Sequence, residues 1–136
     1  MIMGKAQRDK GAAGERELAK ILNENGINAH RGYVQFKQSD LIGVDGIHVE
    51  VKRQENTKIW EWIEQAKKEA IKRLDGIPVV FFRRNRSEWM TCQSLNTWIL
   101  LYKGWQRWLR VKELYEMPFA DNAALIKDFL DEELKE

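Results

Sequence analysis

Cysteine is almost absent from these 136 residues. The single Cys92 excludes an internal disulfide and any zinc cluster built from cysteines, and such usage suits a reducing cytoplasm. Long apolar runs are also missing: Ile77–Phe82 is typical of the longest and falls far short of the roughly 20 residues that span a bilayer. The opening residues, Met1 to Lys5, lack the apolar core and cleavage pattern of a signal peptide. A cytoplasmic protein without membrane contact is therefore expected. The two histidines, His30 and His48, are not spaced as a metal pair, and neither an internal repeat nor a low-complexity linker divides the chain.

What is present is the composition of a globular domain, 43% apolar and 32% charged. The length suits one domain with its own core. The net charge of +2 conceals an asymmetry. Residues 1–112 carry an excess of eight positive charges and residues 113–136 an excess of six negative ones. A basic body attracts a polyanion, which makes nucleic acid a natural partner. The expected organisation is a basic flexible arm over 1–10, a core domain over 11–112, and an acidic helical segment over 113–136 packed on the core or on a dimer partner.

From Ala12 the chain reads as a helix, with Leu18, Ile21 and Leu22 at helical spacing and Asn25-Gly26 as its stop. Glu15 lies about 20° from Leu22 around that helix and shares its apolar stripe, whereas Glu17 points about 160° away and is expected in solvent. Taken alone, Glu15 reads more readily as a first-turn acid at the edge of the apolar face, favoured by the helix dipole.

A short strand is expected within Ile27–Phe36, followed by a hairpin from Asp40 to Arg53 turning at Asp45-Gly46. On its second strand Val49 and Val51 face one way, and His48, Glu50 and Lys52 the other. A two-residue loop would point Asp40 away from Glu50. A three-residue loop, Val44-Asp45-Gly46 with Gly46 left-handed, sets Asp40 opposite Glu50, and this bulged turn is predicted.

Ile59–Leu74 reads as a helix with Ile59, Ile63, Ala66, Ala70 and Leu74 on one face, ended by Asp75-Gly76. Ile77–Phe82 reads as an inner strand covered on both faces. Glu88–Gln93 suggests another strand, Ser94–Tyr102 a short capped helix, Gly104–Val111 either strand or turn, and Ala123–Leu134 a closing helix. The class is α/β, with one mixed domain.

Asp40 and Glu50, set opposite each other in a hairpin, can hold a hard divalent cation such as Mg²⁺, with the Val51 carbonyl as a third oxygen. Lys52, on the face of Glu50, can contact a phosphate and orient a water made acidic by the cation. Glu15 can take a metal water or a second cation. Such a site suits phosphodiester hydrolysis, because a cation offsets the repulsion between carboxylates and phosphate. The same residues also fit an exposed ion pair on a solvated hairpin, so a non-catalytic nucleic-acid binder and a protein-interaction domain stay open.

Further basic residues are candidates for phosphate contact: Lys5, Arg8 and Lys10 on the arm, Arg31, Lys37, Arg53 and Lys58 nearest the hairpin site, and Arg83, Arg84 and Arg86 beyond the inner strand. Six tryptophans, Trp60, Trp62, Trp89, Trp98, Trp105 and Trp108, fit core packing or a dimer interface, with base stacking as the alternative. His48 reads as an exposed strand residue, with a place in the site as the alternative because it shares the face of Glu50, and Cys92 as a small buried one.

The stretch Lys10–Leu18, KGAAGEREL, resembles the opening motif of the Holliday-junction-resolvase-like branch of the PD-(D/E)xK nuclease superfamily, known from archaea and phages. Ser39-Asp40-Leu41-Ile42 resembles its second motif, with Ser39 where the wider superfamily usually has proline, and Val49-Glu50-Val51-Lys52 resembles its third. The match spans residues 10–82. It implies a restriction-endonuclease-like mixed β-sheet flanked by helices, and a Mg²⁺- or Mn²⁺-dependent endodeoxyribonuclease acting on branched DNA such as Holliday junctions. It also implies a homodimer, with metal binding by Glu15, Asp40, Glu50 and Val51 and catalytic contact by Lys52. By the same resemblance Arg31 matches a basic residue after the first helix, and Gln65 a polar residue contributed by the following helix.

Overall fold

The structure, a computed structural model, describes residues 4–33, 39–114 and 119–134. The first helix, α1 (Lys5–Glu24), begins well before Ala12, so the stretch expected as a flexible arm forms its opening turns. Its end is a Schellman motif. Gly26 is left-handed at φ +81°, and the N–H groups of Gly26 and Ile27 donate to the carbonyls of Asn23 and Leu22.

Five short strands and a second helix follow: β1 (His30–Arg31), β2 (Leu41–Ile42), β3 (Ile47–Arg53), α2 (Ile59–Arg73), β4 (Ile77–Arg83) and β5 (Met90–Cys92). The strands form one mixed sheet in the order β1-β2-β3-β4-β5. Among the described strands β3 and β4 are parallel, joined by the α2 crossover, and the other neighbours are antiparallel. β4 is thus an inner strand, as its apolar run predicts. The expected mixed sheet flanked by helices is the architecture found.

Alternation along β3 divides the packing. Val49 and Val51 join Leu18, Ala19, Ala29 and Leu41 in a core with Phe81 and Trp89 around it. Val80, beside Glu50 in the parallel register, belongs to a second core with Trp62 and Ala66 from α2, flanked by Ile63, Phe82 and Cys92. α1 therefore packs on the Val49 and Val51 face, and α2 on the Glu50 and Val80 face.

The inward face of α2 is the expected one through Ile63, Ala66 and Ala70, but it gains Trp62 and loses its two ends. Trp62, Ala66 and Ala70 are buried, while Ile59 stands more than a third exposed and Leu74 is 87% exposed. Spacing alone admits either stripe. Trp62 wins because its ring packs 5.5 Å from that of Phe82, and burying an aromatic of that size outweighs a single isoleucine. Helix α2 also stops one residue earlier than Asp75: Leu74 itself is left-handed, at φ +52°.

Beyond β5 come α3 (Leu95–Leu114) and α4 (Phe119–Leu134). Ser94 accepts the Thr97 N–H at 3.3 Å and starts α3 as an N-cap. The segment 104–111, read as strand or turn, is instead the continuation of that helix through Gly104. The chain divides into two compact units, Met1–Thr97 and Trp98–Glu136, whereas the charge pattern places its change near residue 112. In the second unit Trp98, Trp105 and Trp108 are each between 43% and 48% exposed, and Trp98 stacks on Tyr102.

Candidate functional site

The β2–β3 connection decides where Asp40 points. Leu41 pairs with Val49, which is the register of the three-residue loop. The Ile47 N–H donates to the Val44 carbonyl at 3.0 Å, and Gly46 is left-handed at φ +81°. β2 is only two residues long, and beyond it the Asp40 carboxylate accepts the Val51 N–H at 2.8 Å. Ser39, buried just before, donates its hydroxyl to the Leu41 carbonyl at 2.9 Å and braces that bend.

Glu50 is buried on the α2 face of β3. Its Oε1 lies 3.6 Å from Lys52 Nζ. Lys52 in turn donates to Gln65 Oε1 at 2.7 Å, so α2 fixes the ammonium group. Asp40, Glu50, Val51, Lys52 and Gln65 are thereby brought together. Burial, followed by the negative charge of Glu50, pushes the Asp40 carboxyl up to about 7; Glu15 adds to the rise, against the Val51 N–H and Lys52. A carboxyl crowded in this way is one that a bound cation would relieve.

Glu15 stands near enough to influence Asp40, but its own carboxylate accepts from Arg31 Nε at 2.7 Å. Arg31, on β1, thus neutralises the acid from α1. Among the described residues no three His, Cys, Asp or Glu side chains form a ready-made metal cage. The oxygen set that remains, two carboxylates and a backbone carbonyl, fits a cation such as Mg²⁺, which normally keeps several waters and uses one or two protein carboxylates.

The expected DNA contacts are more scattered. Lys5 and Arg8 lie on exposed positions of the first turns of α1, and Lys58 is exposed at the start of α2. Lys10 pairs with Glu55 at 3.2 Å. Arg53 points to the α1 face, with only 12% of its side chain exposed; it donates to Asn85 at 2.7 Å and packs so closely on α1 that a Cβ at Gly14 would lie 2.8 Å from its own. Lys37 lies outside the described residues.

Two residues differ from their sequence reading. Glu17 is not simply solvated: it pairs with Arg83 at 2.7 Å and accepts the Trp89 indole N–H at 2.8 Å. The Arg83 hydrogen bond, against some burial, holds its carboxyl below the usual range. Its partners come from β4 and the segment before β5, which no local pattern reveals. His48 is fully buried rather than exposed, with Nδ1 2.8 Å from Asp75 and Nε2 3.6 Å from Glu50. Burial would lower its pKa, but the two carboxylates outweigh burial and raise it. The sequence signal was its place on the face of Glu50; the acidic partner 27 residues later carried none.

Residues 6–97 match the sequence model of the archaeal Holliday junction resolvase (Hjc) family. A solved structure of Archaeoglobus fulgidus Hjc, described as a Holliday junction resolvase from an archaeal hyperthermophile, is 24% identical, with a TM-score of 0.46, covering 60% of this chain and 70% of that one. No curated protein sequence matches. The family match takes in all of α1 but Lys5, the whole sheet, α2, and Glu15, Asp40, Glu50, Val51, Lys52 and Gln65, well over half of the 136 residues, and on that ground the chain belongs to the archaeal Holliday junction resolvase family.

Proposed function

We propose that this protein is a divalent-metal-dependent endodeoxyribonuclease that cuts branched DNA such as Holliday junctions. The observation that carries the reading is the Asp40 carboxylate seated on the Val51 N–H, with buried Glu50 and the Gln65-held Lys52 next to it. Family membership supplies the substrate class.

In this reading Asp40, Glu50 and the Val51 carbonyl hold Mg²⁺ or Mn²⁺, with Glu15 available to a metal water or a second cation. When bound, the cation would supply positive charge to the scissile phosphate and make a nearby water more acidic. Lys52, held by Gln65, contacts the phosphate and orients that water. Arg31, paired with Glu15 at 2.7 Å, is in this reading also a candidate phosphate contact. Lys5, Arg8, Lys10, Lys37 and Lys58 track the arms through phosphate contacts, and Arg53 supports α1 from beneath. Two copies acting together match a junction with two equivalent strands to cut.

The test is incubation of purified protein with labelled four-way, flap, duplex and single-stranded DNA in Mg²⁺, Mn²⁺ or EDTA. Cleavage of the four-way form only with metal is expected. Cutting that persists in EDTA, or binding without cutting in either metal, counts against it.

A further inference from the structure

Glu50 is contacted from two sides. Lys52 Nζ approaches Oε1 and His48 Nε2 approaches Oε2, both at 3.6 Å. The His48 side chain is 1% exposed, and Nε2 has no hydrogen-bond partner among the described residues. A buried polar nitrogen without one is costly. The other ring nitrogen, Nδ1, is shared by both carboxylate oxygens of Asp75, at 2.8 and 3.1 Å, so the ring cannot turn without losing that pair.

Asp75 is itself fixed from both sides. Left-handed Leu74 precedes it. After it, Gly76 lies so close to the β2–β3 turn that a Cβ there would come within 2.5 Å of the Gly46 carbonyl carbon, and the Ile77 N–H donates to the Gly46 carbonyl at 2.9 Å. The α2–β4 turn, the imidazole and the site carboxylate therefore form one chain of contacts.

We infer that His48 and Asp75 are positioning residues for Glu50: Asp75 sets the plane of the His48 ring, and the Nε2 edge of that ring, 3.6 Å from Oε2, confines that oxygen and leaves Oε1 toward Lys52. The inference rests on the metal reading above, because a carboxylate needs a fixed orientation only if something is to be bound by it. With Nδ1 seated on Asp75, the unpartnered Nε2 faces Glu50 across 3.6 Å.

Metal binding separates this role from a structural one. Asp75 is 30% exposed at its side chain, so its replacement is a milder change than replacing buried His48. Mn²⁺ is titrated into metal-free, DNA-free protein and followed by electron paramagnetic resonance, with thermal melting in parallel. Asp75→Ala is expected to keep a cooperative melt and weaken Mn²⁺ binding on the order of 10-fold, the lower end of the effect of outer-shell changes. Asp75→Asn, whose amide oxygen still accepts from Nδ1, is expected to recover most of the affinity. Wild-type affinity in Asp75→Ala overturns the inference. So does weaker binding in both variants that merely tracks a lost melting transition. Glu50→Gln is the control: if it binds Mn²⁺ as the wild type does, the metal reading itself fails and this inference with it, whereas a Glu50-dependent signal unmoved by Asp75→Ala removes the positioning role alone.

Discussion

Asp40 and Val51 are joined by a side-chain to backbone hydrogen bond of 2.8 Å, and the loop that ends at Gly46 makes it possible. A one-residue change of loop length would turn Asp40 to the other face of the sheet. Among the described residues nothing stands within 4 Å of a Cβ built on Gly46, so substitution there meets backbone strain. Gly46→Ala is expected to lower stability by about 1 kcal/mol and to lower DNA cleavage by more than the unfolded fraction explains. Urea denaturation alongside cleavage rates checks this; equal losses in both would mean that the turn does not place the site.

The Asp40 carboxyl, raised to about 7 by burial and by Glu50, gives a pH signature. Between its ordinary value of 3.8 and about 7 the folded protein holds a proton there that the unfolded chain has released. Stability contributed by this group is therefore lost as pH rises through that interval. In EDTA, Asp40→Asn is expected to be more stable than wild type at pH 8, by an amount on the order of 2 kcal/mol, with the gap narrowing as pH falls toward 5. Mg²⁺ is expected to reduce the gap by raising the melting temperature of wild type alone. Melting curves at several pH values, with and without Mg²⁺, provide the check.

Leu74 occupies a left-handed position at the end of α2 while 87% exposed. It gains little from burial there, and a side chain costs about 1 kcal/mol in that conformation. Leu74→Gly is expected to stabilise the protein by about 1 kcal/mol with cleavage unchanged, measured by urea midpoint. Destabilisation would show that the leucine packs on something in solution.

Glu17 ties α1 to Arg83 and Trp89. Its carboxylate is 41% exposed, so screening limits the ion pair and the loss is set mainly by the two hydrogen bonds. Glu17→Ala is expected to cost about 1 to 2 kcal/mol. Its depressed pKa adds that the contribution is present above 4.5 and fades as pH falls below it. The wild-type advantage over the variant should therefore shrink in acid, as seen by denaturation at pH 7 and pH 4.

Much of the site was legible because it depends on local geometry. Alternation placed Glu50 and Lys52 on one face, and loop parity fixed Asp40 once Gly46 was read as left-handed. The helical wheel put Glu15 at the edge of the α1 core, though not its pairing with Arg31. Failures came where distant residues decide. Glu17 depends on residues 66 and 72 positions away, and His48 on Asp75. The α2 face turned on Trp62 meeting Phe82, a contact between α2 and a strand 20 residues further on. The start of α1 was missed because its opening turns, Lys5 to Lys10, carry few apolar residues, and α3 was cut short because Gly104 resembles a stop although the helix passes through it.

The most direct measurement is the single-turnover rate at which wild type and Glu50→Gln cut a labelled four-way junction in saturating Mg²⁺, with junction binding measured separately in EDTA. The variant is expected to bind as wild type does and to cut slower by about 100-fold or more, since even outer-shell changes at metal sites cost 10- to 100-fold. Equal rates for the two proteins would contradict a cation held by Glu50.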